Sequence, residues 1–371
     1  MANALGIVSF SENYTWVDGL EDYRSIAAVS FLGRYRVIDF PLSNFSNSGI
    51  ERIQVYARRK PGSLVGHLGV GHQYNINAKS GFLRTIFTES TAENDYYNTD
   101  IKAYSEHLSS ILRGPHRYVV IAPGYMVYAQ DFNKLIQTHE DSGADISLLY
   151  HRVDHADVDF LSCDYLTLNP QKGVRSIKRN DGSEQKRNIF MDTYVMRKEI
   201  LAELIEAAQK VSSMYTLRMI VSERCAHLDV RGVAHKGFFG PITDFKSYYD
   251  ASMSLLDLKT TGTLFHKNWP IYTKTSDSSP VQHLHTADVR DSFISNGCRI
   301  EGTVEHSIVG RGCEIQPGAV VRNCILLAGV VVGEHVHLEN QVVDKYAKII
   351  QMKDIVSDSG NPGYIKRNDS V

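Results

Sequence analysis

No run of this 371-residue sequence approaches the roughly 18 consecutive apolar residues that a membrane-spanning helix needs. The opening MANALGIVSF has no basic region, long apolar stretch or small-residue cleavage site, so no secretory signal is expected. Cysteine is scarce and odd in number. Cys163, Cys225, Cys298, Cys313 and Cys324 include no C-x-x-C pair. This argues against a disulfide framework and fits reduced thiols in a cytoplasmic protein. An excess of charge of one sign is also missing. A formal net charge of −2 supplies no field for nucleic acid or an anionic membrane. What is present suits a soluble chain of two or three domains: 43% hydrophobic and 22% charged residues, enough for a sizeable core.

Glycine is absent where its absence says most. Ala4–Ser9 reads as a buried opening strand, and residues 33–50, GRYRVIDFPLSNFSNSGI, as a strand end, a turn and a short helix. Between two such segments a nucleotide-handling protein keeps a glycine-rich phosphate loop. Residues 10–18, FSENYTWVD, hold no glycine.

The first two-thirds of the chain alternate strands and helices. Helix is expected at 41–48, 100–112, 130–138, 198–211, 217–225 and 244–258. Strand is expected at 52–57, 118–122, 146–150 and 189–196, with a hairpin at 165–178. That rhythm predicts an α/β domain over residues 1–258, built on a mostly parallel sheet. Residues 259–286 read as a Thr-, Ser- and Lys-rich linker. From Ile294 aliphatic residues recur every six positions: Ile294 and Ile300; Val309, Ile315 and Val321; Leu326, Val332 and Leu338; Val343 and Ile349. A six-residue period predicts a triangular parallel β-helix over residues 287–355, with breaks of nine, five and five residues between runs. Residues 356–371 read as a loosely held polar tail.

Three features together resemble one family. Residues 33–50 are similar to the segment after the phosphate loop in ADP-glucose pyrophosphorylases (glucose-1-phosphate adenylyltransferases). HKNWPI at 266–271 is similar to their link between domains, and the hexapeptide region matches theirs in place and size. The resemblance implies a Rossmann-like nucleotidyltransferase domain followed by a left-handed β-helix, in a tetramer of glycogen synthesis. It also implies a reaction of ATP with glucose 1-phosphate, assisted by Mg²⁺.

The departures from that family concern its chemistry. Its Gly-Gly-x-Gly-x-Arg loop falls on residues 9–14, where Phe10 is bulky and Glu12 repels a triphosphate. Its two metal-binding aspartates fall on Tyr125 and about Pro241, and a phenol and a proline are no Mg²⁺ ligands. Its Glu-Lys pair near the sugar phosphate falls on Lys178-Arg179, and its Lys-Pro pair on Ile26-Ala27. No catalytic residue and no metal cofactor are therefore expected. The pattern resembles the family's non-catalytic branch in Gram-positive bacteria, which implies a catalytic pyrophosphorylase subunit as hetero-oligomeric partner, with self-association in isolation as an open option. Arg24, Arg36 and Arg311 fall at or near basic positions of the family's effector site, which takes sugar phosphates, phosphate or nucleotides.

Bland readings apply to other groups. Arg58, Arg59 and Lys60 read as a solvated charge run. His67, His72, His151 and His155 have no metal-ligand spacing, and Asp154, Asp157 and Asp159 no EF-hand context. Tyr96 and Tyr97 fit a core or interface role. Two enzymatic alternatives stand beside the regulatory one. One is an active nucleotidyltransferase with an altered site. The other is a hexapeptide acyltransferase, for which His306, His335 and His337 are the available bases.

Overall fold

The computed structural model describes residues 3–10, 15–77, 79–88 and 97–371. Strands with no polar face form the middle of its first sheet. Ala4–Ser9 and Tyr118–Pro123 are buried at every residue and pair in parallel. Arg52–Ala57 and then Phe82–Phe87 continue the parallel half. On the other side lies the long strand Arg187–Arg197, antiparallel to Tyr118–Pro123. It also pairs with Ile146–Val153, which carries Val230–Ala234 on its far edge. The hairpin Asp164–Leu168 and Val174–Arg179 joins this strand where Tyr165 faces Ile189. The result is a mixed nine-stranded sheet.

The helices are held by amphipathic packing. Lys198–Val211 buries Ile200, Leu201, Leu204, Ile205 and Ala208. Each large side chain of this kind stabilises the fold by roughly 1.5–3 kcal/mol. The parallel strands end together at Ser9, Ala57 and Pro123, and open α/β sheets present their functional side chains at this rim. No helix among the described residues is long and apolar enough to cross a membrane.

Several element boundaries differ from the sequence reading, and the β-helix expected from residue 287 already begins at Gln282–His283, inside the expected linker. The helix expected at 100–112 is two helices, Asp100–Glu106 and Leu108–Leu112, because His107 leaves the helical region (φ −113°, ψ 15°) and packs on Tyr56. The helix expected at 244–258 stops at Ser254. A second one, Leu258–Leu264, begins where the Asp257 side chain accepts the Thr260 amide. The first residues of the expected linker are therefore helical. The tail is not loose. Gly363–Ile365 adds a strand beside Gln341–Val343, and the amides of Lys348 and Ile350 donate to Asp369 and Val371 carbonyls at 2.8 and 2.7 Å. It is retained because the last coil would otherwise leave its ladder open.

The hexapeptide region forms three five-stranded parallel sheets, the faces of the left-handed β-helix. Ile300, Ile315, Val332 and Ile349 stack inside one face, Val304, Val321 and Leu338 inside the second, and Val309, Leu326 and Val343 inside the third, all at 0% exposure. The five-residue breaks are a single tight corner. Asn323 and Asn340 turn it in the left-handed region at φ 48° and 54°, a conformation asparagine tolerates well. His306 does the same at φ 44°, within the nine-residue break that hides Val304.

The two domains share buried polar contacts. Arg24 donates to both oxygens of Asp344 at 2.8 and 2.5 Å, with side chains 2% and 0% exposed. Within the β-helix domain the Tyr364 hydroxyl donates to the same carboxylate at 2.9 Å, and across the boundary Tyr249 donates to the Asn323 carbonyl at 2.6 Å. Gly33, at φ +67°, lies so close to the β-helix that a Cβ there would sit 2.5 Å from Ser295 Oγ and 2.9 Å from the Val309 carbonyl. A buried ion pair adds little over an apolar pair, but removing one partner strands the other charge. Asp344→Ala should therefore lose about 3–5 kcal/mol in urea unfolding, and Arg24→Met with Asp344→Leu should recover most of it. A loss under about 1 kcal/mol in the single variant would contradict this role.

Candidate functional site

At the rim of the sheet the chain fills its own cleft. Phe10, directly after the first strand, is half-buried, and the Arg58 guanidinium stacks over its ring at 4.8 Å. Arg58 also donates to the Asn98 carbonyl at 2.7 Å. Trp16 is flanked by Arg59 at 5.9 Å and Lys60 at 5.7 Å. The Lys60 ammonium donates to the carbonyls of Glu21 and Asp22 at 3.0 and 2.6 Å. The basic run is thus no free solvated face. Its cations lie over Phe10 and Trp16. Beneath them Glu21, 8% exposed, accepts the Val17 amide at 2.8 Å, and burial raises its pKa. The cavity left between Ser9, Phe10, Glu21, Ile26, Ala27 and Arg58 is about 40 Å³. Glu12 and the rest of residues 11–14 lie outside the described residues, as does Tyr96. Tyr97 is 41% exposed and so takes no part in the core.

Tyr125 and Pro241 lie on neighbouring backbone segments. The Tyr125 carbonyl accepts the Ile242 amide at 2.9 Å, and Pro241 faces Met126 across a two-stranded ladder. The Tyr125 hydroxyl donates to Asp192 at 2.9 Å, and the Tyr194 hydroxyl donates to its other oxygen at 3.0 Å. Asp192 was not singled out from the sequence. It sits at the irregularity between Phe190 and Tyr194, in the left-handed region at φ 46°. A lone carboxylate within the apolar run IFMDTYVM is the signal that could have marked it. The other carboxylate here, Asp164, faces Arg218 at 3.2 Å and Arg179 at 3.9 Å. The cavity among Thr15, Tyr125, Cys163, Asp164 and Asp192 is about 10 Å³.

A magnesium ion demands near-octahedral oxygen ligands. This donor set does not fit one: Tyr125 is a phenol, the Pro241 side chain has no ligand atom, and both nearby carboxylates already face hydroxyls or guanidinium groups. Lys178 takes no part in either cavity. It lies exposed on the strand Val174–Arg179.

The arginines expected at an effector site gather between the domains. Arg24 holds Asp344, yet its Nη1 is buried with no partner among the described residues. Arg36 donates to the Ser63 carbonyl and hydroxyl at 2.6 and 3.0 Å. Burial lowers its pKa, with Arg24 and Arg311 adding repulsion. Arg311 donates to the Lys274 carbonyl at 3.3 Å, and burial beside Arg34 lowers its pKa. The sequence reading passed over Lys345. Its ammonium is pushed down to about 8 by burial, then by Arg36 and Arg24. Next to Arg311 an open cleft of about 610 Å³ lies among Arg34, Tyr35, Phe265, Phe293 and Asn296. This cluster is cationic, whereas the sheet rim leaves a cavity of only about 40 Å³ among the described residues.

Comparison with known proteins agrees with both halves of the fold. The nucleotidyl transferase family matches residues 22–160, and the GlmU-like C-terminal hexapeptide family matches residues 279–361. The chain is 31% identical over 318 residues to the glycogen biosynthesis protein GlgD of Geobacillus stearothermophilus, covering 85% of this chain and 82% of that one. It is 27% identical over 321 residues to a glucose-1-phosphate adenylyltransferase of Bacillus cereus, covering 85% of each. A glucose-1-phosphate adenylyltransferase of Fervidobacterium nodosum is 27% identical over 350 residues, 92% of this chain and 83% of that one. With this similarity running through both domains, the chain belongs to the glucose-1-phosphate adenylyltransferase family, in which it is similar to the glycogen biosynthesis protein GlgD.

Proposed function

We propose that this chain is the non-catalytic, regulatory subunit of a glucose-1-phosphate adenylyltransferase assembly in glycogen biosynthesis. The observation that carries this reading is the cavity of about 40 Å³ at the sheet rim. Ligand pockets for molecules of nucleotide size run to about 300–1,000 Å³. In this reading Phe10, packed under Arg58, and Trp16, beside Arg59 and Lys60, stand in for a phosphate cradle, and Tyr125 and Pro241 for the metal ligands. Without a phosphate clamp and a metal, nothing stabilises charge on a transferring nucleotidyl group.

Regulation in this reading rests on the interdomain cations. Arg24, Arg36, Arg311 and Lys345 repel one another across a domain boundary, so an anion bound among them favours one domain arrangement. If the catalytic partner senses that arrangement, effector and substrate affinities are coupled reciprocally. The Lys345 pKa gives the coupling a pH sign. Its cation is present below about 8 and lost above it, so anion affinity should fall as pH rises through that value. Titrating the assembly with inorganic phosphate from pH 7 to 9 checks this, and Lys345→Met should flatten the profile.

The function itself is tested by ADP-glucose synthesis. The purified chain alone should turn over at least about 10³-fold more slowly than the catalytic subunit, in line with losing phosphate stabilisation. Adding it to that subunit should change substrate affinity or effector response. Turnover by the lone chain near the partner's rate would favour an active transferase instead. An unchanged partner would remove the regulatory role.

A further inference from the structure

One column of the β-helix core breaks the aliphatic pattern. Val281, Cys298, Cys313, Val330 and Ala347 hold the same place in successive coils, each just before a strand of one five-stranded sheet. The backbone fixes this register. The Gln282 amide donates to the Cys298 carbonyl, Arg299 to Cys313, Glu314 to Val330 and Val331 to Ala347. The two thiols are therefore neighbours, and each is 1% exposed. Cys324 belongs to a different column, following Ser307, and Cys163 and Cys225 lie in the first domain.

Stacking brings the pair within bonding range. Neighbouring strands lie about 4.8 Å apart, and disulfide-linked residues have Cα atoms roughly 4.4–6.8 Å apart. The two thiols are within hydrogen-bond reach of one another. Cys298 also donates to the Gly310 carbonyl and Cys313 to the Leu327 carbonyl, both at 3.0 Å. The hydrogen bond from Cys313 lowers the Cys298 pKa, whereas burial raises that of Cys313. Cys298 is thus the sulfur favoured to attack as a thiolate, and Cys313 the one to follow.

The pair lies behind the wall of the open cleft. Asn296 and Arg311, each two residues before one of these cysteines, line that cleft. Their corners touch, with the Gly312 amide donating to the Asn296 carbonyl at 3.2 Å. On the amino side Cys298 is covered by the first coil. There Val281 is only partly buried, and Gln282–His283 is exposed and terminal in its sheet. Terminal strands open at lower cost than central ones, so a small reagent reaches Cys298 before Cys313.

We propose that Cys298 and Cys313 form a redox-sensitive pair that closes to a disulfide behind the cleft wall. The oxidant is a low-molecular-weight disulfide such as oxidised glutathione. Cys298, as its thiolate, attacks one sulfur of the oxidant and expels a glutathione thiolate. Cys313 then gives up its proton and attacks Cys298 Sγ, and the second glutathione thiolate leaves. The two protons lost by the cysteines end on the two glutathione thiols, so the oxidant is reduced by the two electrons that the pair gives up. The product is neutral, which suits an apolar column better than a buried thiolate would. The Gly310 carbonyl loses its S–H donor, and the corners carrying Asn296 and Arg311 become covalently tied. The pair needs no effector and no catalytic partner, so its test is independent of the regulatory reading.

The test incubates the native full chain with excess oxidised glutathione, blocks the remaining thiols and maps the peptides by mass spectrometry without reduction. The wild type should lose two of its five free thiols and yield one peptide pair linked through Cys298 and Cys313, and dithiothreitol should restore all five. Cys313→Ala should stop at the first step, with glutathione held on Cys298. Cys298→Ala should stay reduced at Cys313 over the same time. Alanine already fills this column at Ala347, so both variants should keep the wild-type circular dichroism spectrum. Oxidation should raise the melting temperature of the wild type and of neither variant. A wild type that keeps five free thiols overturns the proposal, as does one that stops with glutathione on Cys298. So does a linkage through Cys163, Cys225 or Cys324, or a linked pair that forms only after unfolding in urea.

Discussion

A nine-residue helix whose polar groups are buried ties this molecule together. In Asp39–Asn47 the side chains of Asp39, Ser43 and Asn44 are fully buried, and buried polar groups must find partners. Asp39 accepts from the Tyr74 hydroxyl and faces His67, both at 2.6 Å, and accepts the Arg36 amide at 2.8 Å. Asn44 donates to the Tyr128 carbonyl and accepts from the Gln130 amide and the Trp269 indole. Ser43 accepts the Tyr272 amide at 2.8 Å. Sheet, linker and helix are thereby held in one arrangement, and Gly33 just before it presses against the β-helix. This constraint gives residues 33–50 a structural reason to be what they are, whether or not a reaction depends on them.

The same scaffold has two clefts with opposite fates. The rim of the sheet is closed by stacking and hydrogen bonds among its own residues: Arg58 on Phe10, Lys60 on loop carbonyls, and Tyr125 on Asp192. Left-handed Asp192 carries backbone strain of about 1–3 kcal/mol, of the order that charge-assisted bonds from two tyrosine hydroxyls offset. The domain boundary stays polar and cationic. Arg24 and Asp344 clamp it shut, and the surrounding arginines and Lys345 hold unbalanced charge against it. On the proposed reading, a closed cleft at the rim and a charged one at the domain boundary make a subunit that binds and responds without reacting.

Much of this was legible in the sequence. Period-six aliphatics gave the faces of the β-helix, because inward stacking fixes residue type at every sixth position. Tyr125 was singled out because it follows the apolar run 118–122, and Pro241 because it lies just before the helix expected at 244–258. What was missed depends on tertiary neighbours. The fate of Arg58, Arg59 and Lys60 turns on Phe10, Trp16 and loop carbonyls that sequence spacing does not bring near. Asp192 acquires its role only from a local irregularity in strand pairing. The five-residue corners at Asn323 and Asn340 need left-handed backbone, which asparagine permits without announcing. The tail looked loose because its anchors are backbone groups of the last coil.

The central claim is that the rim of the sheet is filled by the chain itself. Calorimetric titration of the purified chain with ATP and Mg²⁺ tests it most directly, with the catalytic subunit as the positive control. The account predicts no Mg²⁺-dependent heat from binding at the rim, and an isotherm unchanged by Tyr125→Phe. Saturable, Mg²⁺-dependent binding that Tyr125→Phe or Arg58→Ala alters would contradict it.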